Sequence, residues 1–374
     1  MFFDYVDGGA WTESTCRANE ADFARLRFRQ RVGVNIEKRD IATTLLGQRV
    51  AMPVALAPIG MCGLQHADGE IHAARAAEAF GVPFCLSTMS VCSIEDVAAN
   101  TEKPFWFQLY VMRDRAFVAR LVERAVAARC SALVLTMDLQ ILGNRFRDAR
   151  NGLAAPPALT PRFLLEMARK PRWSLGMMRT HRRSFGNLVG HVAGDGNLRS
   201  LEAWIQSQFD PAMTWDDVAW IRRLWRGPLV LKGVMDPDDA RRAVDSGADA
   251  VVVSNHGGRQ LDGAPSSISA LPAIVDAVGD RIEILVDGGV RSGQDVLRAV
   301  ALGARGAMIG RAFVYGLGAC GGPGVTRCLD IIRDELSLTM GFCGATEIAR
   351  VDRALLIDDQ STPGPCGSSN GYMP

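Results

Sequence analysis

Val251-Val252-Val253-Ser254-Asn255-His256-Gly257-Gly258-Arg259-Gln260-Leu261-Asp262-Gly263 is an apolar β run that stops at a base and meets a permanent cation three residues later. The run lacks the in/out alternation of a half-exposed strand, which points to a strand covered on both faces, as in a parallel sheet. The two glycines between His256 and Arg259 let the backbone turn sharply and approach a ligand closely. A general base beside a guanidinium fork suits a substrate that carries a carboxylate and must lose a proton or hydride. Taken alone, the stretch also reads as a strand-to-loop turn whose histidine is satisfied by a neighbour.

Seven further apolar runs surround it, at 53–59, 83–88, 105–110, 132–138, 229–234, 282–287 and 306–310. Amphipathic segments such as 115–129, 237–246 and 293–302 lie between them, several ending at glycine as helices tend to. Eight β/α units predict a single (β/α)8 TIM barrel over 1–374, with a doubly wound sheet as the alternative. Residues 1–52 form a lead-in segment. The gap 139–228 is too long for a βα connection and predicts an insertion over the barrel mouth.

Within that insertion, 162–183 carries seven Lys/Arg and one Glu among Phe163, Leu165, Met167, Trp173, Leu175, Met177 and Met178. It reads either as a patch docking on an anionic membrane or as a mobile lid with a solvated basic face. The tail over 357–374, rich in Ser, Gly and Pro from 361 onward, is expected to fray or to wrap a neighbour.

Lys plus Arg total 42 against 41 Asp plus Glu, so no global charge steers the chain toward nucleic acid. Nine scattered cysteines without a CxxC argue against a disulfide framework or a zinc ribbon, and for a reducing compartment. No metal site is expected. There is no run of about 18 apolar residues and no signal-peptide pattern, so a cytoplasmic protein is expected.

Catalytic groups of such barrels sit at the C-terminal strand ends. Those ends read Pro58 and Gly60; Ser87; Gln108 and Tyr110; Thr136 and Asp138; Lys232; Ser254, His256 and Arg259; Asp287-Gly288-Gly289; and Gly310-Arg311. Stability alone does not call for so many polar strand ends. Asp287-Gly288-Gly289 with Arg291, and Gly310-Arg311, occupy the usual phosphate position after strands seven and eight. Gly316-x-Gly318-x-x-Gly321 matches a dinucleotide fingerprint in letters only and is expected to be a loop.

Together these residues resemble the FMN-dependent α-hydroxy-acid oxidase and dehydrogenase family, from about Phe3 to Leu356. SNHGGRQLDG at 254–263 is similar to that family's signature, joined by Phe3-Asp4-Tyr5, Ala57-Pro58-Ile59-Gly60, Phe107-Gln108-Leu109-Tyr110, Leu135-Thr136-Met137-Asp138 and Lys232-Gly233. The segment 86–92, Trp106-Phe107-Gln108 and the basic insertion are most similar to those of bacterial respiratory L-lactate dehydrogenases, with mandelate dehydrogenases next.

The resemblance implies FMN across the barrel mouth. Pro58, Ile59, Gly60, Ser87, Gln108, Thr136 and Ser254 would grip the ring and ribityl chain, with Lys232 near the N1–C2 edge. Asp287, Gly288, Gly289, Arg291, Gly310 and Arg311 would hold the ribityl hydroxyls and phosphate. Arg259 and Arg145 would hold the substrate carboxylate, with Tyr5 and Tyr110 beside it. His256 would take a proton while two electrons pass to the flavin, and Asp138 would stabilise the imidazolium.

Met89 stands where glycolate oxidases have a tryptophan, which implies a softer pocket ceiling. Residues 138–145 are more apolar than the usual family version, implying a less polar substrate side chain. Relatives carry about twenty more residues of lead-in helix, so either the start of the chain is misplaced or the lower end of the barrel is expected to be less well covered.

The expected reaction is oxidation of an (S)-2-hydroxy acid, L-lactate to pyruvate, with electrons passing to a quinone or another acceptor. The expected setting is a homotetramer, cytoplasmic or peripheral on the inner face of the cell membrane. Alternatives are a mandelate-type dehydrogenase, an oxygen-using oxidase, a phosphate-substrate barrel enzyme without flavin, and a non-catalytic flavin-binding or membrane-associated scaffold.

Overall fold

Eight short strands follow the eight apolar runs: β1 (Val54–Leu56), β2 (Cys85–Ser87), β3 (Trp106–Tyr110), β4 (Ala132–Thr136), β5 (Leu229–Val234), β6 (Ala250–Val253), β7 (Glu283–Val286) and β8 (Gly306–Ile309). The computed structural model describes residues 2–151, 165, 167–189 and 208–357. Every neighbouring pair in the sheet is parallel. The ring closes where Leu56 bridges Phe84 and its N–H donates to Pro83 O at 2.8 Å. This is the expected (β/α)8 barrel, and the doubly wound alternative falls.

Strand periodicity divides the core in two. Val54, Phe107, Leu133, Leu231, Val251 and Ile284 face outward and pack beneath the helices. Ala55, Cys85, Trp106, Val134, Val230, Val252, Leu285 and Met308 form a separate cluster inside the barrel. Two residues further along each strand, the same inward face carries Ala57, Ser87, Gln108, Thr136, Lys232, Ser254, Asp287 and Gly310. The polar strand ends are therefore the top layer of the barrel interior. The helices between strands are fixed by local signals, among them capping boxes at Ser93/Asp96, Thr214/Asp217 and Ser292/Asp295.

The lead-in segment covers both ends of the barrel. Helix α1 (Phe2–Asp7) and helix α2 (Ser14–Arg25) run at the mouth. At the opposite end, strands Thr43–Leu45 and Gln48–Val50 form a hairpin whose Leu45 is fully buried in the interior cluster. Leu46 at the hairpin turn donates its N–H to Glu283 Oε2 at 2.9 Å. The lower end is therefore plugged, contrary to the expectation from sequence.

Three described helices lie within 139–228: α3 (Phe146–Arg150), α4 (Pro171–Arg179) and the helix Trp215–Leu224. One face of α4 docks on the barrel: Trp173 Nε1 donates to Leu64 O at 3.0 Å, and Trp173 packs on Phe2. Just beyond it, Thr180 and Arg182 both bond Asp68. The tail expected over 357–374 lies almost wholly outside the described residues.

The expected loop around Gly316 is instead helix α5 (Arg311–Cys320), followed at once by α6 (Gly322–Phe342). Its Gly316 serves packing. A Cβ on Gly316 would lie 2.4 Å from Gly324 O, and one on Gly324 would lie 1.9 Å from Gly316 O. The two helices touch backbone to backbone there. Among the described residues no helix is long and apolar enough to cross a membrane.

Candidate active site

The barrel mouth holds a cavity of about 740 Å³, a size suited to a cofactor-sized ligand. His256, Gly257 and Gly258 reach its wall through consecutive left-handed conformations, φ 58°, 67° and 73°. Glycine adopts these freely, whereas histidine does so at a cost of about 1–3 kcal/mol. Three bonds hold the turn: His256 N–H donates to Ser254 Oγ (3.1 Å), Gly258 N–H to Asn255 Oδ1 (3.1 Å) and Ala10 N–H to Gly258 O (2.8 Å). A Cβ on Gly258 would lie 2.5 Å from Cys16 N, so α2 could not pack as it does against any larger residue.

The turn places His256 Nδ1 3.1 Å from Asp138 Oδ1. Among the described residues Nε2 has no protein partner, and His256 lines the cavity. Gly233, at φ 100°, makes room for the acid, since a Cβ there would sit 2.6 Å from Asp138 Cγ. Burial holds His256 below the ordinary imidazole range against the pull of Asp138, so it stands as a neutral base at pH 7. Burial opposes ionisation of Asp138, but His256 and Lys232 outweigh it and keep the carboxyl below the usual aspartate value.

Lys232 Nζ lies 2.9 Å from Asp287 Oδ2 and donates to Ser254 Oγ at 2.9 Å. Burial works to strip its proton, yet Asp287 and Asp138 more than offset that, and the site keeps a buried ammonium. Gln108, Thr136 and Ser254 are buried rather than exposed on the cavity wall. They brace it. Gln108 accepts from Ser87 Oγ at 3.2 Å and donates to Thr136 Oγ1 at 3.0 Å.

Two guanidinium groups converge on the cavity. Arg259 donates to Tyr5 O (2.5 Å) and Gly8 O (2.8 Å) and lies over the Tyr5 ring, 4.7 Å from its centroid. Among the described residues Arg145, the N-cap residue of α3, makes only long polar contacts: 3.5 Å each to Arg259 O and Gln260 Oε1, and 4.0 Å to Asp148. Burial and the neighbouring Arg259 charge lower its pKa to about 10, so it remains a cation at neutral pH. Tyr110 stays a protonated donor, because burial and the Asp138 charge push its phenol up.

The residues expected to hold a phosphate line the same cavity. Gly288 and Gly289, φ 89° and 88°, expose backbone at the cavity wall, and Gly310 opens α5 with no side-chain cap. Arg291 also lines the cavity and bonds Glu20 at 2.6 Å. Arg311 is committed elsewhere in part: it donates to Val6 O (2.8 Å), Gly257 O (3.0 Å) and Gly8 O (2.9 Å). Its guanidinium locks α1 onto the 256–259 loop, and about two of its five N–H groups have no partner among the described residues.

The apolar segment 138–145 brings Leu139 and Leu142 to the cavity wall; sequence reasoning missed Phe185, Phe209 and the carboxylate of Asp148, which line the same cavity. Phe209 packs edge-on against Tyr110 at 5.5 Å between centroids. These residues belong to the insertion or its flanks, where no strand register assigns them a direction. Also missed was a reciprocal amide pair, Asn19 with Asn255 at 2.8 Å both ways, which ties α2 beneath the catalytic loop.

The residues present fit FMN. Asp287 Oδ1 is buried without a protein partner and suits a sugar-alcohol hydroxyl. The buried Lys232 charge suits a ring edge that becomes anionic on reduction, and the glycine turns with the open end of α5 suit a phosphate.

Comparison with known proteins agrees with this chemistry. The family model described as FMN-dependent dehydrogenase matches residues 1–358. The L-lactate dehydrogenase of Caulobacter vibrioides is 51% identical over 359 residues, covering 96% of this chain and 94% of that protein. The L-lactate dehydrogenase of Ectopseudomonas mendocina is 46% identical over 360 residues, covering 96% and 95%. Among solved structures, the monotopic membrane protein (S)-mandelate dehydrogenase superposes with a TM-score of 0.91 at 35% identity, covering 96% of this chain and 95% of the other. A mandelate oxidase gives a TM-score of 0.78 at 37% identity, covering 94% and 92%.

Proposed function

We infer the reaction from one premise: the chain belongs to the FMN-dependent dehydrogenase family. It is an oxidoreductase with FMN as cofactor. The substrate is an (S)-2-hydroxy acid, with L-lactate, oxidised to pyruvate, placed first. The observation that carries this reading is the His256–Asp138 dyad opening onto the same cavity as the Arg145–Arg259 pair.

Bound FMN supplies the two-electron acceptor. The protein does the rest. Arg145 and Arg259 take the substrate carboxylate, and Tyr110 donates to a substrate oxygen. His256 Nε2 receives the substrate proton, and Asp138 stabilises the imidazolium through Nδ1. Phe185, Phe209 and Leu142, with Met89, exclude water around the substrate side chain. Mixing the protein without oxygen with L-lactate, D-lactate or (S)-mandelate tests the reading. Loss of the yellow absorbance with L-lactate and not with D-lactate is expected, and no loss with any 2-hydroxy acid would overturn it.

A second reading, an aromatic 2-hydroxy acid such as (S)-mandelate, draws support from that apolar wall. Faster bleaching by mandelate than by lactate would select it. The proposed acceptor is a quinone, and stoichiometric peroxide in air would instead assign an oxidase.

The proposed location is the inner membrane face, held peripherally in a homotetramer. Support for the membrane contact comes from the free face of α4, where Leu175 and Met178 are 44% and 61% exposed beside Arg172 and Arg179. Salt-reversible pelleting with anionic vesicles is expected, and equal recovery with and without vesicles would remove the idea. Sedimentation equilibrium tests the oligomer.

A further inference from the structure

Asp148 has a place on the cavity wall that neither the cofactor nor the proton transfer requires. It stands in the first turn of α3, three residues after Arg145. Its Oδ2 is 4.0 Å from Arg145 Nη1, too far for a direct hydrogen bond and close enough for strong attraction. The two side chains are 17% and 18% exposed, so water screens them only in part. The long contacts of Arg145 leave most of its N–H groups for a ligand. The charges facing Asp148 are Arg145 and Arg147 on its own helix, Arg259 from the loop after β6, and Asp4 from α1. Asp287, the other carboxylate on the wall, is already paired with Lys232.

We propose that Asp148 is a built-in counter-ion that competes with substrate and product carboxylates for the Arg145–Arg259 pair, and so limits how tightly they bind. The proposal rests on the functional reading above. Two guanidinium groups in a partly dry pocket would hold a small carboxylate strongly enough to slow product release. A fixed acid beside one of them lowers the net charge of the clamp from two to one. Asp148 touches no reacting atom; it is a positioning residue that acts through Arg145. Burial, resisted by the two arginines, raises its carboxyl above the usual aspartate value, so acid neutralises it at a higher pH than an ordinary aspartate and restores charge to the clamp.

The test is binding of pyruvate and of benzoylformate to the oxidised, FMN-loaded protein, measured by calorimetry at about pH 7.5 and about pH 5. Asp148→Asn keeps the shape and removes the charge. It is expected to bind the tighter of the two ligands about tenfold more strongly at the higher pH, a change of about 1.4 kcal/mol. It should also show a lower KM and deeper product inhibition. Wild-type protein should tighten on acidification more than Asp148→Asn does, since the pH dependence left in the variant belongs to His256. Asp148→Glu should restore weak binding.

Equal or weaker binding by Asp148→Asn, with flavin content and melting temperature matching wild type, would overturn the proposal and leave Asp148 a prop for Arg145. A wild-type protein that binds neither ligand would overturn the proposal and the functional reading together.

Discussion

Replacing Asp138 by Asn tests the catalytic dyad most directly. The carboxylate lies 3.1 Å from His256 Nδ1, buried behind the imidazole and away from bulk water. Its charge acts little on neutral His256 and strongly on the imidazolium that forms as the substrate loses its proton. For charge centres about 4 Å apart at an effective dielectric of about 20, that attraction is worth about 4 kcal/mol. Losing most of it slows the proton-transfer step by about a thousandfold. The amide keeps the shape, so FMN content and L-lactate affinity should change far less than the rate.

The assay is stopped-flow loss of flavin absorbance without oxygen, using L-lactate with hydrogen or deuterium at C2. A large isotope effect would show that the slowed step is the chemistry. Flavin reduction within about tenfold of wild type would refute the reasoning, because a contact of 3.1 Å cannot carry so little if His256 is the base.

The pH dependence has a definite sign. His256 is held below its ordinary value of about 6.5, so kcat/KM should be full at neutral pH and fall only when the pH drops through that lowered value. Asp138→Asn should move the acid limb lower still; a limb above about 6.5 in wild type would contradict the burial argument. Arg259→Lys keeps the charge but loses the fork that bonds Tyr5 O and Gly8 O, so KM should rise about tenfold or more with bound FMN retained. Steady-state kinetics beside a flavin spectrum checks this. Gly258→Ala meets Cys16 N at 2.5 Å from a backbone at φ 73°, and should cost about 2 kcal/mol or more of stability. Thermal unfolding monitored by circular dichroism reads it, and an unchanged midpoint would mean that α2 shifts at little cost.

The barrel was legible because its strands are buried on both faces and announce themselves as unbroken apolar runs. Its polar layer was legible because the period of two continues past each run, from Trp106 to Gln108 and from Val230 to Lys232. Asp148 and Phe209 were not legible, since they approach the site through the insertion, where neither period nor motif assigns a direction. Asn19 and Asn255 pair across 236 residues, and each alone looks like any polar residue near a turn. Arg311 was legible as a site cation, but its bond to Val6 O spans 305 residues and makes it a lock as well. The letters of Gly316 were read as a loop, although the glycines make a close helix crossing.

That lock bears on how the chain comes into being. Synthesis proceeds from α1 to α5, so the carbonyls of Val6 and Gly8 must wait for Arg311 until most of the chain has been made. Contacts of such sequence separation form late, after the local βα units are in place. Helix α1, made early, is among the last elements to be fastened, and β1 gains its β8 neighbour at the same late stage. The cavity wall, which draws on residues from Tyr5 to Arg311, is complete only once these distant segments have met.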